Sequence, residues 1–355
     1  MKALTRRRAI AACAGMVLSF TLLGCSTTPA APSDGPSNDS APAEVMVKDM
    51  NGDEVIAEGS AAKVLTVNSV ATQMVLMVGG EDAAATLGQG FNYGDGSLNK
   101  AMYPGLANLK TFTRDDATVE NVAALDPSMV VIDVPDTVAA LRDAGIPAAY
   151  VSVTSPDTIK QAVQIIGDAL GGEAKAKAAA YVADYDAVLA SVQAKSANLS
   201  DADKPRVLYL RNETRTVGAG SMPDNWITSV GGINVGAELG AKGGAGSDVT
   251  TEAVLSSDPD IIVCENADLL NAIMTGEQYA EMTAVKNNRV YQVPLGTAVW
   301  SMGTAEAMLQ VQWAATVINP DLYADIDVDR ETRDFFKSYY GYDLTQAEID
   351  TIFHR

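Results

Sequence analysis

Apolar positions along the chain follow two periods. Short apolar runs bounded by polar residues read as buried strands at 63–68, 83–87, 129–132 and 148–151, and again at 206–210, 261–264 and 289–293. Between them, apolar residues at helical spacing predict helices over 72–77, 119–125, 138–144 and 158–170. Further helices are predicted over 226–230, 252–255, 304–317, 330–340 and 345–353. Strands that alternate with helices imply parallel sheets with helices on their faces. One stretch departs from this rhythm. From Gly172 to Ser196 the sequence is rich in Ala, Lys, Glu and Gln, all strong helix formers, with Tyr181, Tyr185, Val188 and Val192 along one side. A helix of about 24 residues is a rod of roughly 36 Å, long enough to cross a small domain.

The two sides of this rod carry the same local pattern. Thr118, Glu120, Val122, Asp126, Pro127 and the run 129–132 correspond to Thr250, Glu252, Val254, Asp258, Pro259 and the run 261–264, each 132 residues on. A spacing this large is not a solenoid repeat. It predicts two similar α/β lobes, 61–171 and 199–355, joined by a single long helix over 172–198.

Ahead of the lobes lie two segments of other character. Residues 1–24 combine Lys2, Arg6, Arg7 and Arg8 with an apolar run that ends at Leu22-Leu23-Gly24-Cys25, the pattern of an export signal followed by a lipidated cysteine. The next stretch is Ser-, Thr-, Pro- and Ala-rich, and 25–60 is expected to be a flexible tether. The chain is therefore expected outside the cytoplasm, anchored to the cell membrane through Cys25. No later run is long and apolar enough to span a bilayer. Without the leader, 21 basic and 45 acidic residues remain, a formal charge of −24, which argues against nucleic acid as a partner. Only Cys25 and Cys264 survive cleavage, so no internal disulfide is expected.

Crevices in parallel sheets open beyond the carboxyl ends of the strands. That rule gathers candidate ligand contacts: Asn68 and Ser69, Phe91, Tyr93 and Tyr103 of the Gly-rich 88–106 stretch, Asp133, Arg211 and Arg215, Glu265, and Trp300 and Met302 of the 294–302 loop. Aromatic faces and guanidinium groups together suit a sizeable, partly anionic ligand. Chemistry on covalent bonds finds little support. His354 is the single histidine, so neither a Ser-His-Asp triad nor a His-rich metal site can be assembled, and no intrinsic cofactor or metal is expected. Gly218-Ala219-Gly220 lacks the third glycine of a dinucleotide fingerprint. Carboxylates are abundant, but their spacing marks no acid–base pair. Cys264 reads as a buried small residue.

Several segments together, TVENVAALDPSMVVID, KPRVLYL, WITSVGGINVG, TTEAVLSSDPDIIVCE, AVKNNRVYQVPLG and YYGYDLTQAEID, resemble the substrate-binding lipoproteins of ABC importers for ferric siderophores, haem and cobalamin. The resemblance runs from about Lys63 to Phe353. It implies two Rossmann-like lobes with parallel sheets bridged by one rigid helix. It also implies a monomer that hands a metal complex to a permease, with no enzymatic activity. Glu120 and Glu252 fall on the positions that dock onto permease arginines in that family. An extracytoplasmic enzyme, or a lipoprotein that binds a protein partner, is the alternative on the same scaffold.

Overall fold

The computed structural model describes residues 45–57 and 61–355; Cys25, the leader and the rest of the proposed tether lie outside the described residues. The first elements are a hairpin, β1 (Val45–Lys48) and β2 (Glu54–Ala57), followed by β3 (Val64–Thr66), α1 (Ser69–Gly79), β4 (Leu87–Gly88), α2 (Leu98–Met102) and β5 (Thr111–Phe112). Next come α3 (Val119–Ala123), β6 (Met129–Ile132), α4 (Pro135–Asp143), β7 (Ala148–Tyr150), α5 (Pro156–Leu170) and the long α6 (Gly172–Ser196). The second half begins with β8 (Arg206–Asn212), β9 (Arg215–Thr216), α7 (Met222–Ser229), β10 (Ile233–Asn234), α8 (Val235–Glu238) and β11 (Ser247–Asp248). It continues through α9 (Thr251–Ser257), β12 (Ile261–Cys264), α10 (Ala267–Thr275), α11 (Thr283–Lys286) and β13 (Val290–Gln292), and closes with α12 (Ala307–Ile318), α13 (Val328–Phe335) and α14 (Gln346–Ile352).

The fold is α/β with two lobes. In the first, β3, β6 and β7 form a parallel sheet, with Val64 opposite Met129 and Val130 opposite Ala148. Bridges from Val64 to Ala84 and from Asn68 to Gln89 bring the β4–β5 pair alongside β3. In the second, the order is β11-β9-β8-β12-β13, with β8, β12 and β13 parallel and Ile261 opposite Val207. Both central strands are buried throughout. Successive residues of a strand face opposite sides. Thus Leu65, Val130 and Ile132 join an outer core with Val122 and Val138, and Leu208, Ile262 and Cys264 join another with Val254 and Leu269. The alternate residues Val64, Met129, Val207, Tyr209 and Val263 face one common core that runs past α6.

Helix α6 packs along α5 and also against α1, α7 and α12, so it touches helices of both lobes. Its inner face is Ala174, Ala178, Tyr181, Tyr185 and Val192. The small residues permit close approach: a Cβ on Gly167 of α5 would lie 2.3 Å from that of Ala178. Helix α5 stops at Gly171, whose φ of 69° only glycine adopts without strain.

Residues 45–57 correct the tether expectation. They form an ordered hairpin whose Val47 and Val55 are buried. Asp49 in its turn accepts hydrogen bonds from the Tyr150 amide at 3.0 Å and Arg142 Nη2 at 2.6 Å, fastening the hairpin to the end of β7. The alternation is only four residues per strand, short enough to be lost beside the polar segment before it. The strand expected over 83–87 is also shorter, with a 3₁₀ turn at Glu81–Ala83 and pairing at Leu87–Gly88.

Candidate functional site

At the carboxyl edge of the first sheet lies a cavity of about 300 Å³ lined by Asn68, Ser69, Gln89, Arg114, Asp133 and Val153 among others, all from the first lobe. Asn68 caps α1, its Oδ1 accepting from the Ala71 amide at 2.9 Å. Asp133 follows the last residue of β6 and receives Arg114 in a two-pronged pair, Nε to Oδ1 at 2.7 Å and Nη2 to Oδ2. Arg114 sits in a turn held by Asp116, whose Oδ2 accepts from the Thr113 amide and hydroxyl. The Asp133 carboxylate raises the guanidinium pKa of Arg114.

The second sheet repeats the arrangement. Glu265 follows the last residue of β12 and receives Arg211 from the adjacent strand β8, Nε to Oε2 at 2.7 Å and Nη2 to Oε1 at 3.4 Å. Here a second layer lies behind the pair. The Tyr209 hydroxyl donates to Glu265 at 3.2 Å and lies 3.0 Å from Ser301 Oγ. Both Tyr209 and Ser301 are fully buried. Ser301 belongs to the 294–303 loop, where Gly303 comes close to the first lobe: a Cβ on it would lie 3.1 Å from Val153 Cγ1 at the cavity wall. The same loop is tied to the first lobe by the buried Asn99, whose Nδ2 donates to the Thr297 carbonyl at 2.8 Å.

A model of the periplasmic binding protein family matches residues 64–295, spanning both sheets and the helix between them. The chain belongs to the periplasmic binding protein family. Members of this family are transport components, not enzymes, so the enzyme alternative falls away. A cobalamin-binding protein of Halobacterium salinarum is 27% identical over 250 residues, 68% of this chain and 64% of that protein. The molybdate-binding protein MolA of Haemophilus influenzae is 27% identical over 143 residues, 39% of this chain and 40% of that protein. The alignments thus span less than two thirds of either relative. A periplasmic solute binding protein from Veillonella parvula superposes with a TM-score of 0.78 at 26% identity, covering 88% of this chain and 97% of that one.

Within this family fold the expected contacts divide sharply. Asn68, Ser69 and Asp133 line the first-lobe cavity, and Arg211 and Glu265 pair at the matching edge of the second sheet. Arg215 lies on β9, bonded to Asp248 at 3.1 Å and to the Ala245 and Gly246 carbonyls, so the second-lobe hairpin engages it. Met302 is half-buried against the common core. Trp300 does not reach a ligand surface: it is 0% exposed, donates its indole N–H to Glu306, and packs edge-on against Phe353. Tyr103 is only 7% exposed, with its hydroxyl donating to the Leu76 carbonyl. Phe91 and Tyr93 are half-buried side by side, with ring centroids 6.4 Å apart, and are not among the residues of the cavity wall. Tyr103 of the 88–106 stretch and Trp300 of the 294–302 loop turn inward, and the two segments meet through Asn99. The reason is burial: large apolar faces next to a core gain more from packing than from waiting for a ligand.

Sequence reasoning missed Arg114, Gly303, Tyr209 and Glu306. A signal existed for Arg114. The repeat makes Asp133 the counterpart of Glu265, and Arg114 is the single basic residue between Lys110 and Asp133 that could balance it. Cys264 is fully buried, as read, and burial pushes its thiol pKa up to about 12, which leaves it unreactive. Glu120 and Glu252 are both exposed, each in the first turn of its helix. Among the described residues no helix is long and apolar enough to cross a membrane.

Proposed function

We propose that the chain is the lipid-anchored capture component of an ABC importer and that its cargo is a hydrophilic metal complex, a ferric siderophore or cobalamin. The observation that carries this reading is the matched pair of Arg–carboxylate contacts, Arg114–Asp133 and Arg211–Glu265, at equivalent edges of the two sheets. Each pair offers donors and acceptors together. Such a surface recognises a ligand that carries both anionic oxygens and amide-like groups, as cobalamin and many siderophores do. Haem loses ground relative to the sequence-based expectation, because Trp300 and Tyr103 are withdrawn into the core and supply no flat apolar wall. A bare divalent cation is disfavoured by the sequence, whose single histidine supplies no set of nitrogen ligands. Glu120 and Glu252 are the proposed permease contacts, and Cys25 the proposed site of lipidation.

Calorimetric titration of the purified chain with cyanocobalamin, a ferric hydroxamate, a ferric catecholate, haem and molybdate tests the reading. It predicts one-to-one binding of a corrinoid or a ferric siderophore, at least tenfold tighter than haem or molybdate. Binding of molybdate alone, or of none of these, would overturn the cargo assignment.

A further inference from the structure

Glu306 is fully buried just ahead of α12 and has no basic partner among the described residues. Its carboxylate is instead surrounded by donors. Oε1 accepts from the Thr297 hydroxyl at 2.6 Å and the Tyr340 hydroxyl at 3.2 Å; Oε2 accepts from the Trp300 indole; and both accept from the Thr297 amide at 3.1 Å. Thr297 and Trp300 belong to the 294–303 loop, so one side chain fixes that loop at two points. The loop faces two ways. Next to Trp300, Ser301 backs Tyr209, which holds Glu265 in its pair with Arg211. Next to the Thr297 amide, the Thr297 carbonyl accepts Asn99 from the opposite lobe. A Cβ on Gly296 would lie 2.1 Å from Glu306 Oε2, so the loop closes directly over the carboxylate.

We propose that Glu306 is a positioning residue for cargo capture: by holding the 294–303 loop it sets the Arg211–Glu265 pair on one side and the contact with the first lobe on the other. The part that concerns Arg211 rests on the cargo reading above; the part that concerns the lobe contact does not. An unpaired carboxylate is costly to bury, and burial raises the pKa of Glu306 to about 7 despite the donors around it. The titratable groups that face it are Tyr340, Tyr103 and Tyr181, whose own pKa values are raised first by burial and further by its charge. A leucine there would fill the space without that cost. The donor cradle therefore selects for a group that orients the loop.

The test uses the full chain and the variants Glu306→Gln, Glu306→Leu, Thr297→Val and Tyr209→Phe. Glutamine can accept from Thr297 N–H and Trp300 with its oxygen while its amide donates to the two hydroxyls, so it should rescue what leucine destroys. In the cargo-free chain, hydrogen exchange should quicken at least tenfold in Glu306→Leu over both 294–303 and the 92–99 segment of the opposite lobe, and stay at the wild-type rate in Glu306→Gln. The Trp300 indole N–H resonance should titrate near neutral pH in the wild type and be flat in Glu306→Gln. With cyanocobalamin as probe, Glu306→Leu should bind at least tenfold more weakly, Tyr209→Phe about threefold, and Glu306→Gln within twofold of wild type. A ferric siderophore takes the place of cyanocobalamin as probe if only that complex binds; if the chain binds neither, the cargo reading fails and the exchange experiment still decides the lobe contact. Should Glu306→Leu not fold, Thr297→Val must loosen the 92–99 segment. Unchanged exchange in 92–99 for the folded variants, or a Trp300 signal with no pH response in the wild type, would overturn the proposal.

Discussion

Thr118 and Thr250 each cap a short helix, their hydroxyls accepting from the amides of Asn121 and Ala253, and each helix is followed by an aspartate at positive φ, Asp126 at 46° and Asp258 at 36°. A proline and a fully buried central strand follow in both lobes. The likeness extends to the carboxylates past the strand ends, Asp133 and Glu265, each clasped by an arginine. Behind these pairs the lobes part. Glu265 rests on the buried Tyr209–Ser301 layer, whereas Asp133 is held by Arg114 alone among the described residues. Arg114 comes from a turn, and its side chain is 44% exposed; Arg211 comes from a strand and is 30% exposed. A side chain placed by a strand and braced from beneath keeps its geometry more tightly than one placed by a loop. The Arg211–Glu265 pair is therefore expected to act as a fixed platform for cargo, and Arg114–Asp133 as its more adjustable partner.

The largest effect is expected where the lobes are alike. Charge reversal at Glu120 or at Glu252 should each abolish transport through the permease while cargo affinity stays within about twofold, because rim charges steer association and fix register. Uptake assays in cells that express each variant check this. Survival of uptake in one of the two would show that the repeat does not extend to docking.

The next effect belongs to the second lobe alone. Glu306 keeps its proton in the folded chain up to about pH 7, against an ordinary value of 4.5. Between these limits the folded state binds a proton that the unfolded state has lost, so its contribution to stability falls as pH rises through that window. The loss is on the order of 3 kcal/mol, at about 1.4 kcal/mol per pH unit. Denaturant unfolding at pH 5 and pH 7.5 should therefore show wild type losing stability relative to Glu306→Gln. Parallel curves would remove Glu306 as the buried titrating group.

The smallest effect separates the two arginines. Arg211→Ala leaves a half-buried Glu265 without its partner and should weaken cargo binding by about 2 kcal/mol, within the range for charged hydrogen bonds. Arg114→Ala, at a more exposed pair, should cost about 1 kcal/mol. Calorimetry on both variants reads the difference, and equal costs would erase the distinction between platform and partner.

Much of this frame was legible in the sequence, because it rests on local rules: cap residues, apolar periodicity and a helix-forming run with one apolar side. The repeat picked out Glu120 and Glu252, and the docking role proposed for them comes from the family resemblance. Contacts that join distant segments were not legible. Arg114 meets Asp133 only because β5 and β6 end at the same edge of the lobe, and Asn99 meets Thr297 across nearly two hundred residues. Trp300 misled for a physical reason. An aromatic in a strand-end loop can turn to solvent or to the core, and here it packs inward with its indole N–H satisfied by Glu306, a residue that reads in sequence as an ordinary start to an apolar helix. The hairpin at 45–57 was hidden by its brevity, and what holds it is an aspartate bonded to a residue about a hundred positions away.

A structure of the chain with its cargo bound tests the central claim most directly. The account predicts cargo oxygens within hydrogen-bond distance of both Arg114 and Arg211, Trp300 still buried against Phe353, and the Asn99–Thr297 contact intact. Cargo seated away from both arginines, or stacked on an exposed Trp300, would contradict it.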